Sequence, residues 1–215
     1  MHKELERIRE IGIVPVIRIE EAAGAAPLAR ALMEGGIPCA EVTFRTEAAE
    51  KAIRILCEEF PDMIVGAGTV LTVEQAKLAK DAGVSFAVSP GFNPKVVDWC
   101  LANDLLMVPG CVTPSDMEQA IERGLEAVKF FPAEQAGGID YIKAVAAPYH
   151  MLHFMPTGGI GPHNLERYLS FKKVIACGGS WVVNPALLNA KKYDEITRIC
   201  QEAMKLVKKI RGNEQ

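Results

Sequence analysis

Histidine is scarce in this 215-residue chain: His2, His150, His153 and His163 are too few and too poorly spaced to suggest a metal site. The six cysteines (Cys39, Cys57, Cys100, Cys111, Cys177, Cys200) show neither CxxC nor CxxH spacing. A disulfide framework belongs to small exported scaffolds, so reduced thiols in a cytosol are expected. No apolar run is long enough to span a bilayer. The opening MHKELERIREIG is charged and lacks the apolar stretch of a signal peptide, which points to the cytoplasm. A basic excess is missing too: 24 Lys+Arg stand against 27 Asp+Glu, a net charge of −3, which leaves no electrostatic footprint for nucleic acid. Neither nucleic acid nor membrane is therefore expected as a partner. Disorder is excluded by 49% hydrophobic and only 24% charged residues.

What is present is a repeat. Short β-rich runs recur at intervals of roughly 20–26 residues, the length of a βα unit. They are IVPVIR, CAEVTF, MIVGAGT, FAVSP, LLMVPG, AVKFF, LHFMPT and KVIACGG. The segments between them carry helical periodicity, clearest where Ala49, Ala52, Ile53, Leu56 and Phe60 make one apolar stripe. Thr72 and Gln75 fit a reciprocal capping box. Asn93-Pro94 and Thr113-Pro114 each set a cap residue before a helix-starting proline. Gly35, Gly83 and Gly124 stand where a left-handed residue ends a helix, and Tyr193–Ile210 reads as a final basic-ended helix.

Strict alternation implies an α/β fold with a parallel sheet and helices outside. Eight units with no linker or composition shift predict one domain over residues 1–215, a single (β/α)8 TIM barrel. An open doubly wound sheet is the alternative. In a barrel, function sits where strands end and loops begin.

Lys129 lies inside the apolar run AVKFF. A lysine there loses hydration, which disfavours the ammonium and is one route to an amine that forms a Schiff base with a carbonyl. The ordinary alternative is a side chain that snorkels to solvent. Glu41, Thr43 and Arg45 share one strand face by the period of two. Glu41 could move protons and Arg45 could hold a carboxylate, or the two could simply pair with each other. Arg18, ending the first run, offers another cation or a surface salt bridge. Thr69 is a hydroxyl donor at the end of the third run, or a cap. Pro90-Gly91 and Pro109-Gly110 form turns that shape the pocket.

The last two runs end in glycine pairs, Gly158-Gly159 and Gly178-Gly179, the second followed by Ser180. Glycines let backbone N–H groups approach an anion, and the loops after strands seven and eight are the usual barrel phosphate site. GAGTVL (66–71) nearly mimics a dinucleotide fingerprint, but it lacks the third glycine and the later acidic residue, so no nicotinamide cofactor is expected. Carbonyl activation falls to lysine.

These motifs resemble, in order and nearly end to end, the bacterial 2-keto-3-deoxy-6-phosphogluconate (KDPG) / 4-hydroxy-2-oxoglutarate aldolases. The matching segments are PVIR, EGGIPCAEVTFRT, IVGAGTVL, FAVSPGF, VPGCVTPS, VKFFPAE, FMPTGGI and ACGGSWVV. The departures, Ala147-Pro148 for a frequent Gly-Pro and Phe44 for a common leucine, leave the proposed chemistry untouched. The resemblance implies a class I lyase on a (β/α)8 barrel, a homotrimer that works on a keto sugar acid and pyruvate without metal or organic cofactor. It further implies Lys129 as the Schiff-base lysine, Glu41 as general acid/base, and Arg45 and Thr69 at the pyruvate moiety. Phe131 and Thr157 match pocket residues, and Gly158, Gly159, Gly179 and Ser180 match the phosphate site. Other readings are a sugar-phosphate isomerase or epimerase, a 2-keto-3-deoxy-6-phosphogalactonate aldolase, and a non-catalytic sugar-phosphate sensor.

Overall fold

Every β-rich run becomes a strand, and an α-helix separates each strand from the next. The computed structural model describes residues 1–212. Its elements are α1 (Lys3–Ile11), β1 (Ile13–Ile17), α2 (Ala25–Glu34), β2 (Cys39–Thr43), α3 (Ala49–Glu59) and β3 (Ile64–Gly68). These are followed by α4 (Val73–Asp81), β4 (Phe86–Val88), α5 (Pro94–Ala102), β5 (Leu106–Val108), α6 (Pro114–Glu122) and β6 (Ala127–Phe130). The chain then runs through α7 (Gly138–Ala146), β7 (His153–Pro156), α8 (Leu165–Leu169), β8 (Cys177–Gly179), α9 (Pro185–Asn189) and α10 (Tyr193–Gly212).

Local chemistry explains the helix boundaries. The α3 stripe is buried as its spacing requires. Asn93 accepts the Lys95 N–H, and Thr113 forms a full capping box with Asp116. At α4 the box is only half made: Thr72 accepts from the Gln75 N–H, but the Gln75 side chain takes the Leu71 N–H at 2.7 Å. The expected reciprocal bond is thus shifted by one residue. Gly83 and Gly124 adopt the left-handed conformation, whereas after α2 it is Gly36 (φ +83) and not Gly35 (φ −74) that does so. Gly35 is there for closeness: a Cβ on it would lie 2.2 Å from the Cys200 Cβ of α10. All six cysteines are free, and burial pushes the Cys57 and Cys100 thiols up to about 11. No described helix is long and apolar enough to cross a membrane.

The strands are parallel, and β2 and β3 are buried along their whole length, as strands covered on both faces must be. Six of them form one sheet in the order β5-β4-β3-β2-β1-β8, and β6 and β7 form a separate pair. The expected ring of eight continuously paired strands is therefore interrupted at two seams. One isolated bridge, Gly110 with Lys129, crosses from beyond β5 to β6; two, Phe154 with Val174 and Thr157 with Gly178, cross from β7 to β8. The second seam has a visible cause. Between its bridges one strand advances three residues and the other four, a bulge. Pro156, within that interval, has no N–H to donate, and the Ile175 carbonyl is bonded instead by Arg211 of α10 at 2.8 Å. The eighth strand shrinks accordingly from the run KVIACGG to Cys177–Gly179.

The charged opening segment forms α1, whose Leu5, Ile8 and Ile11 are buried. Its start is tied to the beginning of β6 by the His2 N–H, which donates to Glu126 at 2.7 Å.

Alanine at position 35 tests the α2–α10 contact. Its backbone conformation suits any residue, and helix propensity favours alanine over glycine by up to about 1 kcal/mol. Overpacking opposes this with about 1–3 kcal/mol, so Gly35→Ala is expected to lower Tm by several degrees in a circular-dichroism melt. Cys200→Ala keeps the clashing Cβ and should not restore it. A Tm at or above that of the parent would show that the two helices part without cost.

Candidate active site

The period of two puts Glu41 and Thr43 of β2 on one face, and both are buried. The third residue of β6, Lys129, reaches Glu41 from 88 positions along the chain: its Nζ donates to Glu41 Oε1 at 3.2 Å. The two side chains are 7% and 0% exposed. Each charge offsets the desolvation cost of the other, which a lone buried charge could not bear. The pair is incompletely satisfied, because Glu41 Oε2 is buried without a hydrogen-bond partner. A fold gains nothing from such an atom, so its presence calls for a chemical explanation.

Glycine makes the room. A Cβ on Gly68, the register partner of Thr43, would lie 2.3 Å from Glu41 Oε1. One on Gly66 would lie 2.3 Å from the Phe86 ring. Lys129 is fixed from the backbone as well: its N–H donates to the Pro109 carbonyl and its carbonyl accepts from Cys111. Gly110, between those two, is pressed by the Pro90 carbonyl, which a Cβ at 110 would meet at 2.1 Å. Pro90 thus acts on the lysine strand through Gly110.

Phe131 places its ring centroid 5.6 Å from Lys129 Nζ, within cation–π range. Thr157, at the end of β7, is buried with an unpartnered Oγ1. Across the seam, Gly178 leaves space for that hydroxyl, since a Cβ there would meet it at 2.1 Å. The Thr157–Gly178 bridge also sets the two glycine turns side by side: Gly158 and Gly159, both at positive φ, beside Gly179 and the exposed Ser180. Trp181, a residue the sequence did not single out, lays its indole against Gly179.

The cations are arranged differently from the lysine. Arg45 is exposed, and its Nε donates to Thr43 Oγ1 at 3.0 Å while that hydroxyl donates to the Ile17 carbonyl. An internal Glu41–Arg45 pair is not what forms, for Glu41 is taken by Lys129. Arg18 makes an exposed ion pair with Glu20 at 2.9 Å. Thr69, half-buried at φ +57, caps no helix; Thr72 does that for α4. A cavity of about 420 Å³ lies beyond the end of β1, lined by Ile19, Glu20, Gly24, Leu188, Asn189 and Tyr193, away from the lysine. Among the described residues no cluster of three or more His, Cys, Asp or Glu could hold a metal ion. A buried amine beside a carboxylate with a spare oxygen is suited to forming and breaking a Schiff base, with the carboxylate moving the protons.

A family model described as KDPG and KHG aldolase matches residues 5–199. The chain is 48% identical over 204 residues to the 2-dehydro-3-deoxy-phosphogluconate aldolase of Haemophilus influenzae, covering 95% of this chain and 96% of that one. It is 42% identical over 192 residues to the KHG/KDPG aldolase of Escherichia coli, covering 89% and 90%. Among solved structures, the KDPG aldolase from Legionella pneumophila, with pyruvate captured at low pH as a covalent carbinolamine intermediate, superposes with a TM-score of 0.89. That match has 37% identity and covers 92% of this chain and 97% of the other.

The two buried threonines give a paired test of stability. Thr157→Val removes a hydroxyl that has no partner, so its Tm is expected to equal or exceed the parent's. Thr43→Val removes one that serves two hydrogen bonds and should cost about 1–3 kcal/mol. Equal losses in thermal melts would mean that the residue-157 hydroxyl is satisfied within the fold.

Proposed function

The chain belongs to the KDPG and KHG aldolase family, and from that membership we infer that it is a class I aldolase. It cleaves KDPG to pyruvate and glyceraldehyde 3-phosphate, and on the strength of relatives named for both substrates it also cleaves 4-hydroxy-2-oxoglutarate to pyruvate and glyoxylate. We read the six-stranded sheet and the β6–β7 pair as one (β/α)8 barrel, a single domain whose two seams are spanned by the isolated bridges; the last three residues of the expected 1–215 span lie outside the described residues.

The observation that carries the mechanism is the buried Lys129–Glu41 contact with its free carboxylate oxygen. Glu41 takes a proton from Lys129, and the resulting amine adds to the C2 ketone. Glu41 then returns the proton to the C2 hydroxyl of the carbinolamine, which leaves as water and yields an iminium. The C3–C4 bond breaks, its electron pair flows into the iminium, and Glu41 accepts the C4 hydroxyl proton as the aldehyde departs. Protonation of the remaining enamine at C3 and addition of water release pyruvate and restore the lysine. The iminium is the electron sink, so the scheme draws on no metal or organic cofactor.

Arg45, Thr69 and Arg18 receive the carboxylate end, Phe131 and Thr157 line the reacting carbons, and Pro90 shapes the wall through Gly110. Gly158, Gly159, Gly179 and Ser180 receive the phosphate, for which backbone N–H groups at adjacent glycine turns are suited. The protein works in the cytoplasm as a homotrimer, in keeping with its family resemblance and its free thiols.

Borohydride added with pyruvate should reduce the iminium and add the pyruvate-derived mass to the peptide containing Lys129. In a lactate dehydrogenase-coupled assay, Lys129→Ala should abolish cleavage, and Glu41→Gln should lower kcat by about 10²- to 10⁴-fold, the usual yield of a general acid/base. Sugar-phosphate turnover that survives Lys129→Ala would replace this reading with a proton-transfer isomerase on the same barrel.

A further inference from the structure

An asparagine just ahead of a helix ordinarily turns its side-chain oxygen onto a free N–H of the first turn. Asn164, which precedes α8, makes no such bond. It is 5% exposed, and its amide is spent on the loop that leaves β7: Oδ1 accepts the Gly161 N–H at 2.9 Å and Nδ2 donates to the Gly159 carbonyl at 3.0 Å. The neighbouring carbonyls are tied as well. Thr157 O accepts from the Ala133 N–H at 2.8 Å and Gly158 O from the Glu134 N–H at 3.2 Å. Three successive carbonyls are therefore each held by a donor, as they must be if the opposite side of the loop is to greet an anion.

One group spoils that environment. The side chain of Glu134 lies over Gly159, where a Cβ would meet its Cγ at 2.7 Å. A carboxylate next to a phosphate cradle repels the ligand unless it is directed away. The fully buried Tyr168, one turn along α8 from Asn164, donates its hydroxyl to Glu134 Oε1. The pair is seated over Gly138, where a Cβ would lie 3.2 Å from the phenol oxygen and 3.3 Å from the carboxylate.

We propose that Asn164 and Tyr168 are positioning residues for the phosphate end of the substrate. Asn164 fixes the Gly158–Gly159 turn, and Tyr168 holds the Glu134 carboxylate off the anion. The proposal rests on reading the glycine turns as the phosphate cradle, and it makes α8 the element that sets the preference for phosphorylated keto acids over unphosphorylated ones.

The test measures kcat and KM for KDPG and for its unphosphorylated counterpart, 2-keto-3-deoxygluconate, alongside borohydride trapping of pyruvate as a phosphate-free readout. Asn164→Ala is expected to raise KM for KDPG about 10-fold, with kcat, pyruvate trapping and turnover of the unphosphorylated acid all within about two-fold. Tyr168→Phe, which keeps the buried ring and so guards against a folding failure, should raise the same KM about five-fold, and Tyr168→Phe/Glu134→Gln should return it to the parent value. Equal losses on both substrates, no change in either, or a parent enzyme with equal KM for the two acids would overturn the proposal. A parent protein that traps no pyruvate would overturn the aldolase reading itself, a result these KM comparisons cannot mimic.

Discussion

A lysine and a glutamate can share the inside of this molecule only because each offsets the other's loss of water. That contact joins β6 to β2, strands that belong to separate hydrogen-bonded groups. Its surroundings are shaped to it. Gly68 is bare so that the carboxylate can lie flat, Gly110 is bare so that the Pro90 loop can press on the lysine strand, and Phe131 faces the amine. The pair is costly in stability and incompletely bonded, the balance expected where reactivity has selected the residues.

The same economy of side chains recurs at the other end of the site. Gly178 clears space for Thr157, Gly179 for Trp181 and Gly159 for Glu134. Glycine is used here less for turning the chain than for letting a neighbour come close. The space cleared by Gly178 holds the unpartnered Thr157 Oγ1, and the carboxylate that Gly68 makes room for carries the other unpartnered atom, Glu41 Oε2. A bound keto acid offers hydroxyl and carbonyl groups able to meet such atoms.

Much of this was legible in the sequence, because β-rich runs and helical stripes depend on neighbours only a few residues away. Lys129 and Glu41 stood out as charges in apolar strands, and the glycine pairs stood out by position. Glu41's partner was less plain: Arg45 is four residues away and Lys129 is 88, and only the barrel-like curl of the strands brings the distant one nearer. Gln75 misses the expected cap because the Leu71 N–H lies within its reach. The helical spacing of Leu5, Ile8 and Ile11 is faint in the sequence because every remaining position of that helix is charged. Asn164 immediately precedes α8, and its partners are loop atoms whose placement follows from the fold. The β7–β8 seam escaped for a similar reason: Pro156 is plain to see, but the group that compensates for it comes from another helix.

That compensation has a temporal side. The Ile175 carbonyl is bonded by a residue 36 positions later, on a helix whose Arg211 also binds the Arg9 and Glu10 carbonyls at the end of α1. All eight strands precede that guanidinium in the chain, so the Ile175 carbonyl gains this donor only once α10 has been made and docked. One guanidinium on α10 thus acts as a latch that fastens the end of α1 and the approach to β8 together.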